Sequence, residues 1–543
     1  MKNINNRLIL ILLTIGVLST SCESYLEEEN NSFLTIENTS SNPDTFDQLV
    51  ARVYERARET TTHYAPDMYY TLEDLGTDIV TRGSAISGVS DINDYVNFTP
   101  LNGVVATYWA NQYSIISAAN TAIDNAEIIE GIESAVKTVG TGEAKFFRAM
   151  SYFNLVENFG GVPLIVNQIT DANAEYSRAT EEAVYTQIVS DLQDALAGVP
   201  PTASVYGRVS KDAVRHLMSK VLLTRGYKSF GSGSDFTDAA ALADTVISNH
   251  PLVPSFASLV DITNQRNSEV VFSYLFGSNS VSRGWGNSRH MLYQFRFFDY
   301  PGLTRTRKGL DPMPTPFFYS LFDDDDDERA EATFTREIYA TEDYTGKNGE
   351  AVSAGELAIL LPKTAWTQAE IDAVPYAVIN PDTYFTSDGI TPVHYPQFIK
   401  FADPSVPFTQ PDQSSQGERD MVMMRSGEAY LIAAEAYFKS SNSIDAAARL
   451  TTLRSRAGIT IPVVAGDVDL DFILDERARE LTGEVNRWMD LKRTGKLIER
   501  TLMHNPHAKF NDALEAKHLL RPIPQGEIDI TGGAITQNPN YDN

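Results

Sequence analysis

Trp109, Gln112, Ile116, Ala119, Ile123 and Ala126 recur at intervals of three and four residues, the period of one helix face. The alanines on that face permit close helix packing. Phe146, Met150 and Phe153 repeat the pattern, and Gly160-Gly161 with Pro163 beyond is expected to end their helix. Further amphipathic segments run over 181–197, 210–229 and 236–249. Helix pairs of this length joined by short links suggest an arrangement like tetratricopeptide repeats, without a sharp sequence period. From 255 to 415 helical periodicity fades while Gly, Pro, Asn and aromatic residues rise, and Val270–Phe276 is the clearest strand. Roughly 160 residues of this kind are too many for a plain loop. They read as an irregular, loop-rich subdomain inserted between helices. Helices return over 418–440, 443–456, 470–482 and 484–494, and the tail from Arg521 is extended and punctuated by prolines. The fold class is mainly α.

The N-terminus has a different pattern. Lys2 and Arg7 precede an apolar run from Leu8 to Leu18, followed by Ser19-Thr20-Ser21-Cys22. The run is too short for the ~20 residues that span a bilayer, and small residues follow it directly. Residues 1–21 therefore read as an export signal, and Cys22 as the site of lipid modification. A polar leader over 22–42 then precedes a helical part over 43–254, the irregular region over 255–417 and the closing helices over 418–543. With 42% hydrophobic and 21% charged residues, the chain is of ordinary folding composition. Its net charge of −28 repels phosphate backbones, and no basic run offsets it, which excludes nucleic acid as the expected partner. The single cysteine excludes intrachain disulfides and multi-thiolate zinc sites.

Catalytic and cofactor signatures are missing. No G-x-S-x-G, H-E-x-x-H, G-x-x-x-x-G-K-[ST] or G-x-G-x-x-G occurs. His504 and His507 are separated by Pro506, which argues against a shared helical metal face. Asp467, Asp469 and Asp471 mimic the start of a calcium loop, but Phe472 stands where the glycine must turn and Ala478 where a glutamate is needed. They read as a loop capping the next helix. The acidic run Asp323–Glu328 reads as solvated surface. Glu73, Asp74 and Asp78 leave open a glycosidase carboxylate pair, since spacing alone does not measure their separation.

Several stretches together resemble the SusD/RagB family of surface glycan-binding lipoproteins. They are Cys22-Glu23-Ser24-Tyr25-Leu26, Glu73 to Asp78, Tyr108-Trp109 through Ile123, Glu143 to Ala149 and Phe159-Gly160-Gly161-Val162-Pro163-Leu164. Arg454 to Gly458, Glu476 to Leu481, Arg487 to Gly495, Pro522-Ile523-Pro524 and Gln537-Asn538-Pro539 continue the likeness. Each piece is weak alone, and their order over the chain is specific. The resemblance implies four tetratricopeptide-like helix pairs, an irregular subdomain carrying the ligand site, no cofactor and no catalysis. It also implies a SusC-like TonB-dependent barrel as partner, with the lipoprotein as its lid at the cell surface. Trp109, Phe146, Phe153 and Trp488 sit on helical stripes and are expected in the core, while Arg477 and Arg487 are expected to pair with carboxylates between helices.

A sugar ring needs flat aromatic surfaces for its C–H faces and fixed polar groups for its hydroxyls. Trp285 and Trp366 lie in the irregular region away from any amphipathic stripe, either as ligand platforms or as plugs over the scaffold. Arg283 and Asn287 flank Trp285. The loop after the early Thr-Asp motif reaches the ligand in the resembling family, which points to Asp78, Arg82 and Tyr95. From Gly277 to Pro312 six basic residues face two acidic ones, yet the surrounding field is negative, so a neutral glucan is favoured over an anionic polymer. A glycoside hydrolase and a helical-repeat scaffold for proteins are the alternatives.

Overall fold

The computed structural model describes residues 42–62, 72–83, 88–171, 176–279, 283–284, 286–291, 300–303, 312–322, 326–404, 417–484 and 486–541. Helices dominate it: Asp44–Thr62, Gly103–Asn125, Ser134–Phe159, Glu181–Gly198, Lys211–Arg225 and Asp235–Asn249 form the first part. Ser134–Phe159 packs against Gly103–Asn125 on one side and Glu181–Gly198 on the other. A glycine makes one close approach possible, because a Cβ on Gly140 would stand 2.6 Å from the Phe46 ring. Trp109, Phe146, Phe153 and Trp488 are all buried in the main core, as their stripes predicted.

The C-terminal helices return to the first part. Ser426–Lys439 packs on Asp235–Asn249 and on Ser443–Arg456, so the scaffold is closed by residues nearly two hundred positions apart. The helix expected over 418–440 is corrected in its first turns. Met421–Arg425 is a strand paired antiparallel with Val270–Tyr274, and the helix begins only at Ser426. The tail likewise contains a short helix, Gln525–Ile530, within its otherwise irregular course. Among the described residues no helix is long and apolar enough to cross a membrane.

The irregular region carries small sheets. Val80–Arg82 pairs with Pro312–Pro314, Phe334–Thr335 with Gln397–Phe398, and Glu337–Tyr339, Leu357–Leu360 and Ala377–Val378 form a three-stranded sheet. Ile338, Val352, Ile359, Leu361, Ile379 and Tyr395 give it a hydrophobic cluster of its own. A buried ionic network fastens this region to the scaffold. Arg329 bonds Asp327 and Glu476 at 2.8 and 2.7 Å, and Lys400 reaches Glu484 at 2.5 Å. Arg425 and Arg456 share Glu480 and Glu269 from the other side. Asp327, read from sequence as solvated, is instead buried, because it pairs with buried Arg329, which in turn holds Glu476 and Glu480 of the Leu470–Leu481 helix.

Candidate carbohydrate-binding surface

The sequence candidates fall into three neighbourhoods. The first surrounds Val80–Arg82. Asp78 is fully buried, with the Arg487 Nε and Nη2 at 2.9 and 2.6 Å and the Arg500 Nε at 2.8 Å. Burial alone would raise its carboxyl, but Arg487 and Arg500 outweigh burial and hold it below the usual range. Its oxygens are committed to the scaffold, so the structure offers no face of Asp78 to a sugar. Tyr95 is also interior: its hydroxyl donates to the Gly76 carbonyl at 2.6 Å, and burial pushes the phenol well up. The approach is tight, since a Cβ on Gly76 would lie 2.8 Å from the Ile92 carbonyl oxygen and φ there is +72°. Arg82 differs. It forms a bidentate pair with Asp94, both bonds 2.8 Å, and 14% of its side chain remains exposed.

Sequence reasoning missed what flanks Arg82. The Thr81 hydroxyl meets His507 Nδ1 at 2.9 Å, and His507 Nε2 meets the Thr391 hydroxyl at 3.3 Å. Burial, aided by the Arg82 charge, lowers His507 to about 4, so the ring is neutral at physiological pH. No local pattern announces this grouping, because its members lie hundreds of residues apart.

The second neighbourhood holds Arg283 and Asn287. Arg283 bonds Glu418 at 3.0 Å with 14% of its side chain exposed. Asn287 is buried and works as a peg: its amide donates to the Arg419 carbonyl at 2.8 Å while its oxygen accepts from the Arg289 N–H at 2.9 Å. Its backbone bridges Gly417 in both directions. Asn287 is thereby tied to the Gly417–Arg419 stretch, while Trp285 lies outside the described residues, as does Cys22.

Trp366 forms the third. Asn380 clamps its backbone, accepting from the Trp366 N–H at 2.9 Å and donating to its carbonyl at 2.8 Å. The side chain is left half-exposed beside the capped Gln368–Asp372 helix. Arg477 and Arg487 pair with Asp490 and Asp78, as expected of helix-bridging arginines. Asn505 breaks the helix between His504 and His507. The first of these rings stacks on Phe317 at 3.7 Å, and the second is held by the two threonines. Among the described residues no group of three or more His, Cys, Asp or Glu is placed to hold a metal ion.

A helical scaffold bearing partly exposed aromatic and guanidinium groups on irregular segments offers the kinds of groups a sugar needs. Residues 261–541 match the SusD family model, and residues 24–223 match a model described as starch-binding associating with outer membrane. The chain belongs to the SusD family, whose members are non-catalytic, outer-membrane-associated glycan-binding proteins. It is 28% identical to SusD-like protein P2 of Formosa agariphila over 81% of each chain, and 23% identical to SusD-like protein P25 of the same organism over 97% of each. Among solved structures it is similar to a laminarin binding SusD-like protein, with TM-score 0.70 and 24% identity over 92% of this chain and 100% of that one. It is also similar to surface glycan-binding protein A from Bacteroides thetaiotaomicron in complex with laminarihexaose, with TM-score 0.68 and 19% identity over 91% and 99%.

Proposed function

We propose that the chain is a lipoprotein, tethered through Cys22, that captures a neutral glucan at the cell surface and passes it to a SusC-like TonB-dependent barrel on which it sits as a lid. The observation that carries this reading is the fold-wide likeness to a protein described as laminarin binding, over nearly the full length of both chains. In this reading Trp285 and Trp366 are the platforms, and Arg283 and Arg82 offer N–H groups to hydroxyls from their carboxylate-paired positions. Asn287 holds the loop, while Asp78 and Tyr95 act from the interior by fixing the strand that carries Arg82. The negative field of the chain favours a neutral polymer over a sulfated or uronate one.

Affinity for laminarin-like and alginate-like polymers at low and high salt tests the ligand class. A neutral glucan binds almost independently of salt and loses about tenfold or more in Trp366→Ala, since carbohydrate faces lose an aromatic platform. Binding confined to the charged polymer, falling steeply with salt and lost in Arg283→Ala, overturns the choice. For the tether and partner, Cys22→Ala is expected to leave the membrane fraction while keeping its glycan affinity. The wild-type lipoprotein is expected to co-purify with a large barrel from native membranes. Retention of the variant on membranes lacking the barrel contradicts the anchor.

A further inference from the structure

A cleft of about 920 Å³ opens between the Gly103–Asn125 helix, the segment after Pro163 and the Gln525–Ile530 helix, and none of the carbohydrate candidates above lines it. Its volume falls within the roughly 300–1,000 Å³ of small-ligand sites. Trp109 and Tyr113 lie about one turn apart on the same helix face, their rings 5.1 Å apart, and the Trp109 ring packs edge-on to Phe159 at 4.9 Å. The Tyr113 hydroxyl donates to the Pro163 carbonyl at 2.8 Å, which fixes its half-buried ring in the cleft wall. Tyr176 contributes a third ring.

A carboxylate stands among these rings. Glu527, in the first turn of the short Gln525–Ile530 helix, lines the cleft near the Trp109 indole; burial raises its pKa, and the indole N–H opposes that only in part. A carboxylate offers about four lone-pair directions, so Glu527 brings acceptor capacity to the cleft that it lines. Ser117, one turn beyond Tyr113, and the exposed Asn167 add a hydroxyl and an amide. Among the described residues no Lys or Arg lines the cleft, whereas Glu527 and Asp171 do. That balance rejects sulfate, phosphate and uronate, and suits a ligand that presents apolar faces and donating hydroxyls together.

We propose that this cleft is a second carbohydrate site, taking a short neutral oligosaccharide whose ring faces lie on Tyr113 and Tyr176 and whose hydroxyls donate to Glu527. The site stands apart from the loop-borne surface of the proposed function, so either can fail without the other. The exposed Ile169 and Ile530 at the rim mark the competing occupant, a protein segment.

Calorimetric titration of the full mature chain with laminarihexaose, maltohexaose and cellohexaose, combined with amide hydrogen exchange, tests the assignment. At least one hexaose is expected to bind at two sites and to protect residues 163–171 and 525–535. Glu527→Gln and Tyr176→Ala are each expected to weaken one site tenfold or more while the other keeps its affinity, with melting temperature unchanged as the check on folding. Trp366→Ala and Arg283→Ala are expected to do the reverse, and their failure to alter either site counts against the loop surface alone. Binding by every hexaose that is indifferent to Glu527→Gln and Tyr176→Ala overturns the proposal. So does exchange protection of 525–535 that appears only when a protein partner is added, which would make the cleft a protein interface.

Discussion

Asp78 and Arg82 are four residues apart and carry opposite fates, and the difference comes from their partners. Asp78 neutralises two arginines from the C-terminal helices, with every charge of the trio buried. Removing the carboxylate costs about 3–5 kcal/mol, because buried Arg487 loses its one ion-pair partner among the described residues, whereas Arg500 keeps Asp471 and Asp475. Asp78→Asn, which keeps shape and removes charge, is therefore expected to lower stability by that amount in denaturant unfolding. A loss below 1 kcal/mol would sink the argument. Arg82 and Asp94 are each still partly wetted, so Arg82→Ala is expected to cost less stability and more ligand affinity. From sequence nothing separated the two residues: Asp78 ends the early motif and Arg82 follows it closely, and the arginines that claim Asp78 lie more than 400 positions away. Residue type located the neighbourhood, whereas burial, set by distant partners, sorted interior from rim.

At the scale of elements, helix periodicity was legible wherever one face alone is buried. Ser443–Arg456 and Leu470–Leu481 coincide with their predicted spans almost to the residue, and Asp469 caps the latter through the Phe472 N–H at 2.8 Å. Periodicity misled over 421–425, where Met-Val-Met-Met is apolar on both sides and suits strand or buried helix equally. Its pairing partner begins at Val270, out of reach of any local window. Asn505 is another element that the sequence left unread. Its oxygen caps the Pro506–Asn511 helix through the Ala508 N–H at 3.1 Å, and its amide donates to the Thr77 and Val80 carbonyls, both at 3.0 Å. Asn and Asp are equally good N-caps in isolation. Here the amide faces acceptors, so Asn505→Asp is expected to destabilise more than Asn505→Ala, whose own cost is about 2–4 kcal/mol from the lost cap and the orphaned carbonyls. Equal or better stability of the aspartate variant would show that the cap, not the bridge to the strand, is what matters.

The molecule as a whole joins an acidic surface to an interior in which many buried charges are paired, and the two respond oppositely to acid. Protonating surface carboxylates relieves repulsion within a chain of −28, an effect screened over about 8 Å at physiological salt. The interior responds more strongly. Burial lowers His216, His507 and His518 to about 4, so below pH about 6.5 the unfolded chain takes up protons that the folded chain refuses. Glu157, Glu476 and Glu484 are held at about 2, their lysine and arginine partners outweighing the burial that would raise them. Their contribution is complete above pH about 4.5 and is lost as pH falls towards 2. The melting temperature is therefore expected to be level near pH 7–8, to decline from about 6.5, and to fall steeply below about 4.5. Calorimetry from pH 3 to 8 at fixed ionic strength checks this. A melting temperature that rises between pH 6.5 and 5 would mean that relief of surface repulsion, rather than the buried histidines and carboxylates, governs stability.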